Sequence, residues 1–285
     1  MIQKLFRSPL FIAGSSLVFF FALMIIFAPR LSPHDPLKTD IWNILAKPGG
    51  DYPLGTDNLG RCILSRLIAG SRATLGTAFT VEALILTMGT LIGVIAGYRG
   101  GVIDAVILSI IDILLAFPGI ILALVIAGLL GSGLTNLMIA MVSVYWVEHA
   151  RVARSISRSV REKEFVLAAR ASGSGSFRII GRHILPHVLP NMLVYGTLNM
   201  ASIIIGISSM SFIGLGVKPP APEWGALLAE GRGYMRENPL MLIAAVGCIM
   251  LSAACFQLLG EGLRDALSPR TSHLGPVGNA GMKKC

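Results

Sequence analysis

Long stretches without charged residues alternate with short polar segments along this chain. Three contain no charge, and two contain a single acid each, Glu82 and Asp112. A membrane-spanning helix needs about 20 predominantly apolar residues, so each stretch is long enough to cross a bilayer. The stretch 105–147 is long enough for two crossings, and Gly131-Ser132-Gly133 is a turn signal that divides it. The pattern therefore predicts six spans, at about 9–28, 75–97, 104–128, 135–151, 190–215 and 240–260.

Composition and charge support an integral membrane protein. The chain is 54% hydrophobic and 14% charged, with a mean hydropathy of +0.73, far more apolar than an ordinary globular protein. If both termini are cytoplasmic, Lys and Arg are more numerous inside, as the positive-inside rule requires. This orientation explains the net charge of +9, and nucleic-acid binding is disfavoured because the basic residues sit beside spans. The predicted fold class is an all-α integral membrane protein with about six transmembrane helices and cytoplasmic N and C termini.

The first span has features of a secretory signal, since Lys4 and Arg7 precede an apolar run. The run is about 20 residues long, which exceeds a usual signal core. Ala28-Pro29-Arg30 is also a poor cleavage site. We therefore interpret this span as a retained anchor.

Sequence motifs of enzymes and metal sites are missing. The chain contains no GxxxxGK[ST] phosphate loop, no HExxH and no GxSxG. His183 and His187 flank Pro186, which disfavours one continuous helix and hence a common metal-ligating face. No Cys-x-x-Cys pair occurs, so no disulfide framework is implied. These absences argue against an enzyme and against a metal site in this chain.

Glu82 and Asp112 are acids at predicted membrane depth, where an ionisable side chain suggests a function by default. Neither has an obvious basic partner in the sequence, so a proton relay is disfavoured. A polar contact between helices is the favoured interpretation for both. Gly89, Gly93 and Gly97 recur every four residues and fit either a sliding helix interface or tight packing.

A basic segment leads out of the fourth predicted span. Arg151, Arg154, Arg158 and Arg161 recur at a spacing that places them on one face of a helix. We interpret them as anchors at the cytoplasmic interface, whose long side chains reach the aqueous phase.

The next segment, Glu164–Gly173, is predicted to be a short helix. Gly173 ends it, because glycine accepts the positive φ that turns the chain back to the membrane. One helix face carries one bulky side chain among small ones: Phe165, Ala168, Ala169 and Ser172. Such a face suits a groove on another protein. A helix lying on lipid is the alternative, disfavoured because Phe165 and Leu167 point to different faces.

Motifs spread in order along the chain carry a family resemblance. The segment 164–186 is similar to the pattern EYVEAARALG…HILPN, with Leu167 in place of the usual glutamate of EAA. LGTDNLGR at 54–61 resembles LGTDxxGRD, with Cys62 in place of the last Asp. Other matches are Ser65–Leu67, Gly100–Asp104, Phe117-Pro118, Ser211–Gly216, Glu223–Gly225 and Gly262–Leu267. The chain thereby resembles ABC-importer permeases of the dipeptide/oligopeptide/nickel class, specifically the second permease subunit.

The resemblance implies a type I ABC-importer permease fold in the bacterial inner membrane. It implies these partners: a homologous permease subunit, two ABC ATPase subunits, an extracytoplasmic substrate-binding protein and the lipid bilayer. The ATPases bind the ATP, so no cofactor is expected in this chain, which is a transport subunit and not an enzyme. The residues that match the family's ATPase-coupling helix are Glu164, Phe165, Ala168, Ala169, Arg170 and Gly173.

Three parts follow from the resemblance. Residues 1–72 form an N-terminal anchor helix and an external segment. Residues 73–267 form the ABC-importer transmembrane domain, with a cytoplasmic coupling loop at 152–186. Residues 268–285 lie outside the motifs and are predicted to be a disordered cytoplasmic tail.

The expected cargo is inferred from the residues found at individual positions of these motifs. Glu164–Ala168, Gly131–Asn136 and Ser209–Phe212 resemble nickel-importer permeases more than peptide permeases. Ile207 and Ser208 stand where peptide-type relatives often carry an acid that suits a peptide amine. The expected cargo is therefore nickel or a metal chelate, passing as a complex because no ligand cluster could strip a metal bare. Dipeptide or oligopeptide import is the alternative, and a secondary transporter is disfavoured because no convincing internal repeat occurs.

Overall fold

The computed structural model describes residues 9–267, and it forms helices, turns and loops but no strand in this range. The tail 268–285, predicted to be disordered, lies outside the described residues, as do Lys4 and Arg7. The α-helices are α1 (Pro9–Leu31), α2 (Ile63–Arg99), α3 (Gly101–Leu115), α4 (Gly119–Leu130), α5 (Leu134–Arg161), α6 (Glu164–Ala171), α7 (Ser176–Ile179), α8 (Leu185–Phe212), α9 (Trp224–Arg232) and α10 (Pro239–Leu267). A 3₁₀ turn covers Ile41–Asn43, and a π-helical segment, Ile180–Ile184, joins α7 to α8.

Within the described chain, four helices are long and apolar enough to cross a membrane, or five spans if the bent pair α3–α4 counts as one. The four are α1, α2, α10 and the continuous helical stretch Ser176–Phe212. The sequence pattern predicted six. The difference is α5, which contains the predicted span 135–151 but carries Glu148, Arg151 and Arg154 in its C-terminal half. Because of these charges, α5 is not apolar enough to be counted among the helices that could cross a membrane.

The predicted span 104–128 corresponds to the two helices α3 and α4. The chain bends by 84° between α3 and α4. Helix α3 ends at Leu115, and Pro118 precedes the first residue of α4. Proline has no backbone N–H and disfavours a helical conformation at the residue before it, which explains a break at this place.

The prolines at the start of the fifth predicted span do not interrupt it. The expectation that Pro186 breaks the helix is wrong, because Pro186 lies in the first turn of α8, where its missing N–H is tolerated. Helical structure runs from Ser176 through the π-helical segment to Phe212. Pro190 also lies inside this helix.

Helices α2 and α5 pack with their backbones in close contact. A Cβ added at Gly89 would lie 2.5 Å from Cβ of His149, and one at Gly97 would lie 2.5 Å from the carbonyl oxygen of Arg154. Gly93, between them, faces Ala150 in the same way. Small residues permit this approach, so the glycine repeat of α2 mediates tight packing.

A buried network of charged side chains lies next to the N-terminal end of α2. Asp57 accepts from Nε of Arg61 at 2.7 Å and from Nη1 of Arg66 at 2.6 Å. Both arginines also donate to Glu230 on α9. Asp57 and both arginines are at most 3% exposed. The network fixes segment 32–62 against α9.

Candidate functional site

Helix α6 has an end structure that stops it after two turns. The amide of Gly173 donates to the carbonyl of Arg170 at 3.0 Å, and the amide of Ser174 donates to the carbonyl of Ala169 at 3.1 Å. Gly173 has φ +77°, as its position at the helix end predicts. These two bonds and the left-handed residue form a Schellman motif. Glu164 in the first turn and Arg170 in the last turn both complement the helix dipole.

One side chain fastens α6 to the rest of the protein. Val166 is fully buried and belongs to a cluster with Ile179 and Ile184, which follow α6 in the chain. Ala169 packs at the edge of the same cluster. The guanidinium of Arg170 lies over the ring of Tyr98, 5.5 Å from its centroid. The spacing pattern did not single out Val166, because a lone valine in an Ala-rich helix carries no periodic signal.

The outward face of α6 differs from the face that the spacing predicted. Four exposed residues follow the helical repeat: Glu164, Leu167, Ala168 and Ala171. Leu167 is therefore the large apolar side chain at the centre of the outward face. Phe165 instead stacks on the ring of His187 at 5.0 Å between centroids, although 38% of its surface stays exposed. The outward face combines one leucine, two alanines and one acid.

Another large apolar side chain is exposed shortly after α6. Phe177 in α7 is 89% exposed. A single exposed apolar side chain is common in proteins, so Phe177 by itself does not define an interaction surface. Phe177 was not among the residues predicted from the motif, since it falls in the gap between the matched positions.

Three of the four arginines interpreted as anchors on α5, namely Arg151, Arg154 and Arg161, are bonded to other helices. Arg154 donates through Nε and Nη2 to both carboxylate oxygens of Asp104 on α3. Arg151 donates to Asp112, also on α3. Arg161 donates to the carbonyl of Tyr98, near the end of α2, at 3.2 Å. Asp112 thus has a basic partner, which its position in the sequence did not reveal.

Glu82 lies in a buried polar cluster that joins three helices. Its Oε1 is 2.9 Å from Nε2 of His149 on α5, and its Oε2 accepts from Nδ2 of Asn199 on α8 at 2.9 Å. The ring of Tyr195 stands edge-on to His149 with 4.8 Å between centroids. Both oxygens of Glu82 therefore have partners, and the helices before and after α6 are tied to α2.

The described residues contain no group of three or more His, Cys, Asp or Glu side chains that could hold a metal ion. His183 and His187 lie in one continuous helical stretch, contrary to the expectation from Pro186. Nδ1 of His187 lies 2.8 Å from the carbonyl oxygen of His183, so this nitrogen is engaged with the backbone. Cys62, Cys248 and Cys255 are free thiols.

Two segments of the chain match known protein families. Residues 89–273 match the family described as "Binding-protein-dependent transport system inner membrane component". Residues 1–48 match the "N-terminal TM domain of oligopeptide transport permease C".

Individual relatives fall into two groups by the cargo in their names. The chain is 40% identical over 237 residues to the nickel transport system permease protein NikC of Escherichia coli (strain K12), covering 83% of this chain and 86% of that protein. It is 39% identical over 268 residues to the dipeptide transport system permease protein DppC of Alkalihalophilus pseudofirmus, covering 94% and 88%. It is 35% identical over 263 residues to the probable D,D-dipeptide transport system permease protein DdpC of Escherichia coli (strain K12), covering 92% and 88%.

Proposed function

Since the chain belongs to the binding-protein-dependent transport system inner membrane components, we propose that it forms a translocation path together with a homologous partner permease. Within that family it is an ABC-importer permease of the nickel/peptide class, a multi-pass inner-membrane transport subunit and not an enzyme. Two ABC ATPase subunits bind the ATP on the cytoplasmic side, and this chain needs no cofactor of its own. An extracytoplasmic binding protein delivers the cargo.

The parts of the chain divide this work. Residues 1–72 anchor the chain and form an external segment, and 73–267 form the transmembrane domain. The loop 152–186 faces the ATPases, with α6 as the coupling helix. The tail 268–285 is cytoplasmic.

The outward face of α6 is the observation that carries the coupling role. It exposes a leucine among alanines, with an acid at its start, on a helix whose opposite side is fixed by buried Val166. A small, rigid face of this kind suits helix-in-groove recognition. The flanking helices α5 and α8 meet at Glu82, so a push on α6 reaches the membrane-spanning part through two rigid helices at once.

Co-purification with the ATPase tests the coupling role. Leu167→Asp and Gly173→Trp are expected to release the ATPase from the detergent-solubilised complex and to abolish ATP-dependent uptake. Trp42→Asp is the matched control, because Trp42 is 89% exposed in the external segment and the same loss of apolar surface there leaves the ATPase bound. If Leu167→Asp and Gly173→Trp retain the ATPase and transport normally, α6 is not the coupling helix.

The proposed cargo is nickel, carried as a complex with a small chelator. Three short motifs of the chain are spelled as in nickel importers, and the chain is 40% identical to a nickel permease. Dipeptide import is the second candidate, because the identity to a dipeptide permease is 39% and extends over 94% of the chain.

Uptake in a deletion strain separates the two cargoes. The strain lacks its own copy and carries this chain on a plasmid, with radioactive nickel supplied free or with a chelator and a labelled dipeptide supplied in parallel. Chain-dependent nickel uptake that excess dipeptide does not compete with would establish the metal cargo. Chain-dependent dipeptide uptake with unchanged nickel uptake would assign the chain to the peptide branch.

A further inference from the structure

Asp112 and Arg151 form an ion pair that is half exposed although it lies in the membrane-spanning part of the protein. Their side chains are 53% and 52% exposed. Asp112 lies about 16 Å along α3 from Gly101, at 1.5 Å per residue, and α3 belongs to the bent pair that counts as one span. A charge facing lipid at this depth costs at least a few kcal/mol. The exposed side of the pair therefore faces water or another protein.

A second pair between the same two helices shows what a purely structural ion pair looks like here. Arg154 binds Asp104 through two parallel hydrogen bonds, and both side chains are only 15% exposed. Arg151 makes a single bond to Asp112 through Nη2. Guanidinium has five N–H donors, so most of the donors of Arg151 are available to another group.

The pair belongs to a longer polar surface on α5. Glu148 and Ser155 are exposed three and four residues from Arg151, and Arg158 is exposed seven residues from it, so all three share its face. This face carries one acidic and two basic side chains. Its polarity explains why α5 is not among the described helices that are apolar enough to cross a membrane.

We propose that Asp112, Glu148 and Arg151 line the water-filled path and bind the cargo. This rests on the proposed transport function and assigns the chemical class of its substrate. Arg151 presents a planar donor fork that matches a carboxylate. Asp112 is bonded to Arg151 and Glu148 lies one turn before it on α5, and these two acids suit a positive centre. The matching solute is small and carries a carboxylate beside a positive centre. That centre is the ammonium group in a dipeptide and the metal ion in a carboxylate chelate.

Charge variants in the complete importer test this assignment. Uptake is measured in proteoliposomes with the binding protein, per assembled complex, with labelled dipeptide in one arm and nickel with a carboxylate chelator in the other. Arg151→Gln is expected to lower kcat/KM for the transported cargo about 10- to 100-fold, as loss of a charge-assisted hydrogen bond implies. The arm that loses uptake identifies the positive centre. The control Arg154→Gln is expected to lower the yield of complex but not the uptake per complex.

A charge swap distinguishes a cargo contact from a structural pair. The double variant Asp112→Arg/Arg151→Asp restores an ion pair with the opposite orientation. It stays impaired if the side chains bind cargo, and it recovers normal uptake if the pair only holds α3 to α5. Recovery in the swap, or unchanged kcat/KM in Arg151→Gln, would overturn the proposal.

Accessibility gives a measurement that does not depend on transport rates. All four cysteines are replaced, and Arg151→Cys or Arg154→Cys is introduced. A membrane-impermeant thiol reagent is expected to modify position 151 and not 154, and saturating cargo is expected to protect 151. Modification by lipid-soluble reagents alone, or a disulfide from position 151 to the partner permease, would show that the surface faces lipid or protein. Lack of ATP-dependent uptake by the unaltered importer would instead refute the proposed function itself.

Discussion

Replacing Gly89 by alanine is expected to destabilise the protein although alanine is the better helix former. The new Cβ would lie 2.5 Å from Cβ of His149 and 2.8 Å from the carbonyl oxygen of Trp146. Real contacts of this kind do not fall below 3.0 Å, so α2 and α5 must separate by at least about 0.5 Å in a region packed at crystal density. Overpacking of this size costs about 1–3 kcal/mol.

Gly76 in the same helix is the matched control. Nothing lies within 4 Å of the position of its added Cβ, so Gly76→Ala gains about 0.5–1 kcal/mol of helix propensity without a clash. Both variants gain that propensity, and the difference between them isolates the packing penalty. Because each kcal/mol corresponds to roughly 2–4 °C in a chain of this size class, Gly89→Ala should unfold about 2–12 °C below Gly76→Ala.

The assay follows the buried thiols of Cys62 and Cys255 with a dye that fluoresces on reaction, during heating of the purified importer. Equal unfolding midpoints for the two variants would refute the backbone contact between α2 and α5. A lower midpoint for Gly76→Ala than for Gly89→Ala would refute it as well, because the two side chains would then meet surroundings opposite to those described.

Three further changes test other contacts by the same unfolding assay or by proteolysis. Asp57→Asn leaves two buried arginines with one acid fewer and should lower the free energy of unfolding by about 3–5 kcal/mol. Glu261→Gln removes an acid from an exposed pair and should lower it by only about 0–1 kcal/mol. Similar losses for the two variants would show that the network is not buried. His149→Ala removes a partner of a buried carboxylate and should cost about 1–3 kcal/mol, and an unchanged midpoint would show that the carboxylate is solvated. Gly173→Ala places a Cβ at φ +77° and should destabilise the end of α6 by about 1–2 kcal/mol, which speeds proteolysis there. Gly175→Ala lies outside the left-handed region and should leave the cleavage rate unchanged. Equal cleavage rates for the two variants would contradict the Schellman motif at the end of α6.

The sequence predicted most elements where a local pattern carries the signal. Apolar runs with at most one charge located α1, α2, α8 and α10, because an apolar stretch of span length has few other stable locations. The predicted boundaries of the helices were less accurate. Helix α2 begins at Ile63, well before the predicted start at 75, because polar residues in this part of the helix are buried against α9. Gly173 marked the end of α6, because its left-handed conformation is a property of one residue.

The partners and orientations of side chains could not be predicted in the same way. Arg151 and Arg154 were interpreted as interface anchors, because the sequence alone does not show that α3, which carries their acidic partners, packs against α5. Glu82 lacked a visible partner because its contacts come from α5 and α8, far along the chain. The outward face of α6 was predicted around Phe165, but the stacking on His187 turns that ring partly inward and leaves Leu167 outward.

The sequence by itself determined that this protein is a helical membrane permease of the ABC-importer class. Transfer of apolar runs into a bilayer depends on the composition of each run, and family motifs are read residue by residue. The tertiary structure decided which charges are neutralised, where α3 and α4 bend, and which face of α6 is exposed. These features depend on contacts between segments distant in sequence, and their free energy exists only once the helices have packed.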